Sequence, residues 1–307
     1  MPVLGWVLLA VFAFVWASYG VARVRYRGLA TGVLTYPGVA AQGVILYLPG
    51  ILARGHESLL GLDDREQGGL LQLLRSHARQ VQVLEYDTEQ SNNDAVTYRV
   101  VQELRHMLSI VREQRITIVA ASKGAMIVQN AMARFSKADR KYIKLVLIDP
   151  PSGSKDMGLG GNFGAPIARW LRALLPIGHG MLLGSAPAPS GAPRADETQA
   201  DLDFAVVNST AVRRLEGFPF RVWWGDLAWM DKFRLTPANL ADFGGGVHYI
   251  VCTLGNVTVK QPQAVNAHKT ACPSMHVHHA AMPHCGWLQQ PNEARAAIGA
   301  ALAAPWN

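Results

Sequence analysis

Thr117-Ile118-Val119-Ala120-Ala121-Ser122-Lys123-Gly124-Ala125-Met126-Ile127-Val128-Gln129 decides how the chain is read. A largely apolar run, β-branched at its start, breaks off at a serine, and a stretch with helical composition begins at once. A strand that turns this sharply into a helix holds the turning residue in a strained backbone conformation and projects its side chain outward. Strand and helix then pass so close that the positions two before and two after the serine must be small, and Ala120 and Gly124 meet that demand. The helix N-terminus beneath the serine adds a field that favours developing negative charge.

Outward from this turn, short apolar runs alternate with longer amphipathic ones, the pattern of βαβ units and a parallel sheet. Upstream, Gly43–Leu48 reads as a strand ending in Pro49-Gly50, and Val81–Tyr86 as another, after a helix over 69–80. Ala95–Glu113 is helical, with Val96, Val100, Leu104 and Leu108 four apart. Beyond the turn, the expected strands are Tyr142–Ile148, Phe220–Trp224 and Val247–Leu254, with a closing helix over Asn292–Ala303. Residues 151–163 are rich in Gly and Ser, 164–183 are apolar and amphipathic, and 184–198 are rich in Pro, Ala and Ser. So long an excursion inside a compact domain is usually functional, and it reads as a cap.

The strand–Ser122–helix unit resembles the nucleophile elbow of the α/β-hydrolase superfamily, with Ala120 in place of the usual first glycine. Leu46-Tyr47-Leu48-Pro49-Gly50-Ile51 resembles that family's upstream strand and loop. Met282-Pro283-His284-Cys285-Gly286-Trp287 through Pro291 resembles its closing motif, a histidine followed by a proline that opens the last helix. The three landmarks stand in the family's order and span most of residues 43–303. The resemblance implies a doubly wound, mainly parallel sheet of about eight strands, with Ser122 as nucleophile and His284 as base. It implies an oxyanion hole from the backbone N–H groups of Ile51 and Lys123. It also implies acyl transfer through an acyl-enzyme, without cofactor, on a carboxylic ester. The Lys123 side chain is expected in solvent or facing the cap.

The acid is less constrained. The family most often carries it after the strand before the last one, three residues past a glycine; that position in Trp224-Gly225-Asp226-Leu227-Ala228 is Ala228. Asp226 and Asp231 flank it. A second family arrangement places the acid after the strand that follows the elbow helix, and Ile148-Asp149-Pro150 fits that version. Asp226 is preferred over Asp149, with Asp231 third. Ala120 and Ala228, at two family positions, leave an inactive membrane scaffold of this fold as the alternative. A metal-dependent hydrolase using His276, His278 and His279, with Cys272 and His268 near, is a further one. That cluster reads as loop, and no second group with ligand spacing accompanies it, so no metal is expected.

Composition sets the remaining bounds. Half of the 307 residues are hydrophobic and 17% are charged, which favours a sizeable core over disorder. The net charge of +7 is spread without an aromatic-interleaved stripe, which argues against nucleic acid and suits an acidic bilayer surface. Val3–Ala22 carries no charged side chain, and about 20 apolar residues match a membrane-spanning helix. Arg23, Arg25 and Arg27 follow it, and this charge bias puts the C-terminal part in the cytoplasm. A lipid-like or other hydrophobic ester is therefore the expected substrate. The expected domains are an anchor over 1–22, a hydrolase core over 23–150 and 215–307, and a cap over 151–214. Three cysteines are too few for a disulfide framework, and a Cys272–Cys285 pair is left open. Trp223, Trp224 and Trp229 are expected in the core and the wall of the site.

Overall fold

The computed structural model describes residues 32–41, 43–50, 70–85, 93–110, 115–156, 229–253, 259–282, 284 and 291–306, with isolated positions Gly5, Trp6, Ala10 and Ala13. In chain order the elements are β1 (Gly32–Pro37), β2 (Val44–Leu48), α1 (Leu70–His77), β3 (Gln80–Glu85), α2 (Asn93–Ile110), β4 (Ile116–Ala121) and α3 (Lys123–Met132). They continue with α4 (Lys137–Arg140), β5 (Ile143–Ile148), a 3-10 turn (Ser154–Asp156), α5 (Pro237–Leu240), β6 (Val247–Cys252), α6 (Gln261–Ala271), β7 (His276–Ala280) and α7 (Pro291–Ala303).

The seven described strands form one sheet in the order β1-β3-β2-β4-β5-β6-β7. β1 runs antiparallel to β3, and every other pairing is parallel. Parallel strands are covered on both faces, so they read as continuous apolar runs. β2, β5 and β6 are buried along their whole length for that reason. On one face, Leu46, Ile118, Leu145 and Tyr249 pack against Val100 and Leu104 of α2 and Ile127 and Val128 of α3. On the other, Ile45, Val119, Val146 and Ile250 pack against Leu70 and Leu74 of α1 and Ile298 and Ala301 of α7.

The sheet order brings β4 and β5 to its middle, with Ala121 beside Ile148, and Ile148 beside Ile250 of β6. The turns after β4 and β5 therefore emerge next to each other at the carboxyl edge. In open α/β sheets that edge is where ligands bind.

Several expectations change. His276–Ala280, read as loop, is the edge strand β7, whose backbone pairs in register with His248–Cys252. Helix α6 and strand β1 were not anticipated. Residues 151–156, assigned to the cap, are fastened to the core, with Ser154 and Asp156 buried. The rest of the cap, the strand over 220–224 and nearly all of Val3–Ala22 lie outside the described residues. Among the described residues no helix is long and apolar enough to cross a membrane. Cys252 and Cys272 are both buried, and Cys272 is a free thiol without a disulfide partner. Trp229 packs on the core, with its ring 5.7 Å from that of Phe233 and Nε1 donating to Asp94 at 3.2 Å.

Candidate active site

Ser122 sits between β4 and α3 with φ 48° and ψ −121°. A non-glycine residue at positive φ persists only where its surroundings over-determine it. Here they do. The Ser122 N–H donates to Ile148 O of β5 at 2.8 Å, and its carbonyl accepts from Ala125 N–H at 3.1 Å in the first turn of α3. The residue is 4% exposed.

The small-residue requirement has a concrete cause at Gly124. A Cβ there would stand 2.2 Å from Pro49 O and 2.9 Å from Leu48 O, inside the end of β2. Gly50 is also close, though less so, since a Cβ there would lie 3.1 Å from the Ser122 Cβ and 3.7 Å from its Oγ. The Pro49-Gly50 backbone thus forms the wall beside the hydroxyl. Lys123 is the first residue of α3, so its backbone N–H is one of those a helix start presents outward for its own bonding. Ile51, the other expected oxyanion donor, lies outside the described residues. Lys123 is only 2% exposed, so its side chain is not in solvent; the other expectation, that it faces the cap, involves residues outside those described.

His284 reaches Ser122 from the far end of the chain, with Nε2 accepting from Ser122 Oγ at 3.0 Å. Its Nδ1 donates to Asp149 Oδ2. The pair forms a buried contact, with the Asp149 side chain 0% exposed and that of His284 11% exposed. A proton on Nδ1 leaves Nε2 as an acceptor, so these bonds fix a single neutral tautomer suited to receive the serine proton. Asp149 lies one residue past β5 with φ 50°, and its N–H donates to Ile250 O at 2.9 Å.

Of the three candidate acids, it is Asp149 whose carboxylate stands at His284 Nδ1. Asp226 lies outside the described residues. Asp231 is engaged elsewhere, accepting from Ser154 Oγ at 3.0 Å. The physical reason lies in strand order. Among the described residues the strand before the last is β6, and residues 253–260, which follow it, contain no Asp or Glu. The carboxylate that meets His284 Nδ1 comes from the turn after β5.

The histidine cluster has other occupations. His276 and His278 stand beside His248 of β6, whose ring stacks on His276 at 5.1 Å and whose Nδ1 lies 3.1 Å from His278 Nε2. Burial pushes His248 down to about 4 and lowers His278 as well, with the neighbouring imidazoles adding to both shifts and Lys144 to that of His248. Among the described residues no group of His, Cys, Asp or Glu has the arrangement of a metal site. His268 is buried in α6, with Nδ1 donating to Ala264 O at 2.7 Å and Nε2 accepting from Gln129 Nε2 at 2.9 Å. Burial lowers it to about 4.

No protein-family model matches the sequence, and no curated protein matches it either. Solved structures do. MenH from S. aureus aligns over 89% of this chain and 98% of its own, at 11% identity and a TM-score of 0.59. A hydrolase from Oleispira antarctica covers 89% and 94%, at 11% identity and 0.57. A putative aryl esterase from Burkholderia cenocepacia covers 87% and 92%, at 12% identity and 0.52. At such identities the likeness speaks for the fold. With the elbow at Ser122 and the sheet order described, the chain has the fold of the α/β-hydrolase superfamily.

Proposed function

We propose that this protein is a serine hydrolase that cleaves a carboxylic ester through an acyl-enzyme, with Ser122 as nucleophile, His284 as base and Asp149 as acid. The observation that carries the reading is the continuous chain Ser122 Oγ–His284–Asp149, in which the serine hydroxyl and His284 Nε2 are 3.0 Å apart. Each side chain has the complementary role that nucleophilic catalysis needs.

As Ser122 Oγ attacks the ester carbonyl, His284 Nε2 takes its proton. Asp149, held at Nδ1, keeps the ring oriented and stabilises the imidazolium that forms. The backbone N–H of Lys123, with one from the loop after Gly50, would receive the negative charge on the carbonyl oxygen. His284 then returns the proton to the departing alcohol. A water activated by the same nitrogen releases the acid and frees Ser122.

A hydrophobic, lipid-like ester is the proposed substrate, supported by the uncharged stretch Val3–Ala22 and the basic balance of +7. The same stretch supports a membrane anchor with the catalytic part on the cytoplasmic side. A series of p-nitrophenyl esters tests the substrate class. Rising kcat/KM from two-carbon to ten-carbon acyl chains is expected. Preference for the shortest chain would end the lipid reading while leaving the serine chemistry intact.

A further inference from the structure

We propose that Tyr249 is a positioning residue for the acid of the triad, acting through the backbone of the turn that follows Asp149. The inference rests on the roles assigned above to Ser122, His284 and Asp149.

Asp149 stands at a strained turn, with its N–H donating to Ile250 O at 2.9 Å. Its φ of 50° lies in the left-handed region, and it stands outside the strand that delivers it. The next residue, Pro150, has no N–H, so the turn's next main-chain handle is the Pro150 carbonyl. Tyr249 Oη donates to that carbonyl at 2.9 Å. Tyr249 itself is held firmly. It lies within β6, it is 0% exposed, and its ring meets His268 edge-on with centroids 4.9 Å apart.

Tyr249 Oη has one further neighbour. Gln261, which opens α6, lies with its side-chain amide 3.4 Å from Tyr249 Oη. A hydroxyl has a single proton, and the shorter contact to Pro150 O takes it. The amide atom facing Oη is Gln261 Oε1, a longer and weaker second acceptor for the same hydroxyl beside Pro150 O. Burial, with Asp149 and Asp156 close by, pushes the Tyr249 hydroxyl well above its ordinary range, so it remains a donor.

Further along, the turn is fastened by other groups. Asp156 Oδ2 accepts from Ser152 N–H at 2.8 Å and from Ser152 Oγ, and Asp156 O accepts from Lys260 N–H at 2.7 Å. These ties hold residues 152–156. The Tyr249 bond acts one residue from the acid, so its loss frees the Asp149 turn while leaving the rest of the loop anchored.

The test compares Tyr249→Phe, Gln261→Ala and wild type as full-length protein in detergent. The readouts are p-nitrophenyl ester kinetics, fluorophosphonate labelling rate, thermal midpoint and the downfield proton resonance of His284 Nδ1–H. Tyr249→Phe is expected to lose roughly tenfold in kcat with KM nearly unchanged, since a small misplacement of a catalytic group is costly. Its downfield resonance should move or broaden, and Gln261→Ala, which leaves the Pro150 bond in place, should have the smaller effect on both. A lowered midpoint with unchanged kcat per folded molecule and an unchanged resonance would reduce Tyr249 to a core residue and overturn the proposal. Wild type that neither labels nor hydrolyses would overturn the triad reading, and the positioning role with it.

Discussion

Ser122 and His284 are separated by 162 residues, yet both could be named from the sequence, because each stands in a local pattern with a local cause. The elbow needs small neighbours, and the 2.2 Å approach of a Gly124 Cβ to Pro49 O supplies the reason. Gly124→Ala must push α3 away from β2. Overpacking of this kind costs about 1–3 kcal/mol, and activity should fall along with stability in a urea titration and an ester assay. The acid obeyed no such local pattern. Choosing Asp149 over Asp226 required knowing that β6 neighbours β7 and that no carboxylate follows it. Asp149→Asn should keep the geometry but lose the tautomer, lowering kcat on the order of 10⁴-fold. Asp226→Asn and Asp231→Asn should retain most of it. A dead Asp226→Asn beside an active Asp149→Asn would reverse the assignment.

At the scale of elements, β2, β4 and β5 were legible because a strand buried on both faces leaves a mostly apolar run. β7 was not. His276-Val277-His278-His279-Ala280 offers little apolar surface, since it is an edge strand in which His276 and His278 pack on His248. Helix α6 was hidden for a related reason, with only Ala264, His268 and Ala271 fully buried. Lys144 shows the same limit within a strand that was read correctly. It is 0% exposed, and its Nζ donates to Leu302 O at 3.1 Å and Ala304 O at 2.6 Å, closing the C-terminal end of α7. Nothing near residue 144 in the sequence announces a partner 158 residues away. Lys144→Met removes the cation and leaves those carbonyls without their donor. About 1–3 kcal/mol should be lost, measured by denaturant unfolding, and hydrogen exchange should quicken in the last turn of α7.

For the whole molecule, two buried imidazoles set the acid limit of stability. His248 and His268 each sit near 4, below the ordinary 6.5, because burial disfavours their charged forms. The folded state binds fewer protons than the unfolded chain between those values, so stability is full above about 6.5 and falls as the pH drops toward 4. Each site contributes a loss on the order of 2 kcal/mol by pH 5. His248 adds to this because a charge there faces His276, His278 and Lys144. Thermal unfolding at pH 7 and pH 5 should show the drop, and His268→Gln should make it shallower. A midpoint that rises on acidification would contradict this account. The apolar stretch Val3–Ala22 bears on the whole molecule too. The full chain is expected in the membrane fraction, resisting salt and alkaline washes and yielding to detergent.

The most direct test of the central claim is covalent labelling of the detergent-solubilised protein by a fluorophosphonate, beside Ser122→Ala and His284→Ala. Wild type should label, with mass added at Ser122, and neither variant should. An unlabelled wild type whose circular dichroism shows it folded would contradict that claim, leaving a hydrolase fold without an activated serine.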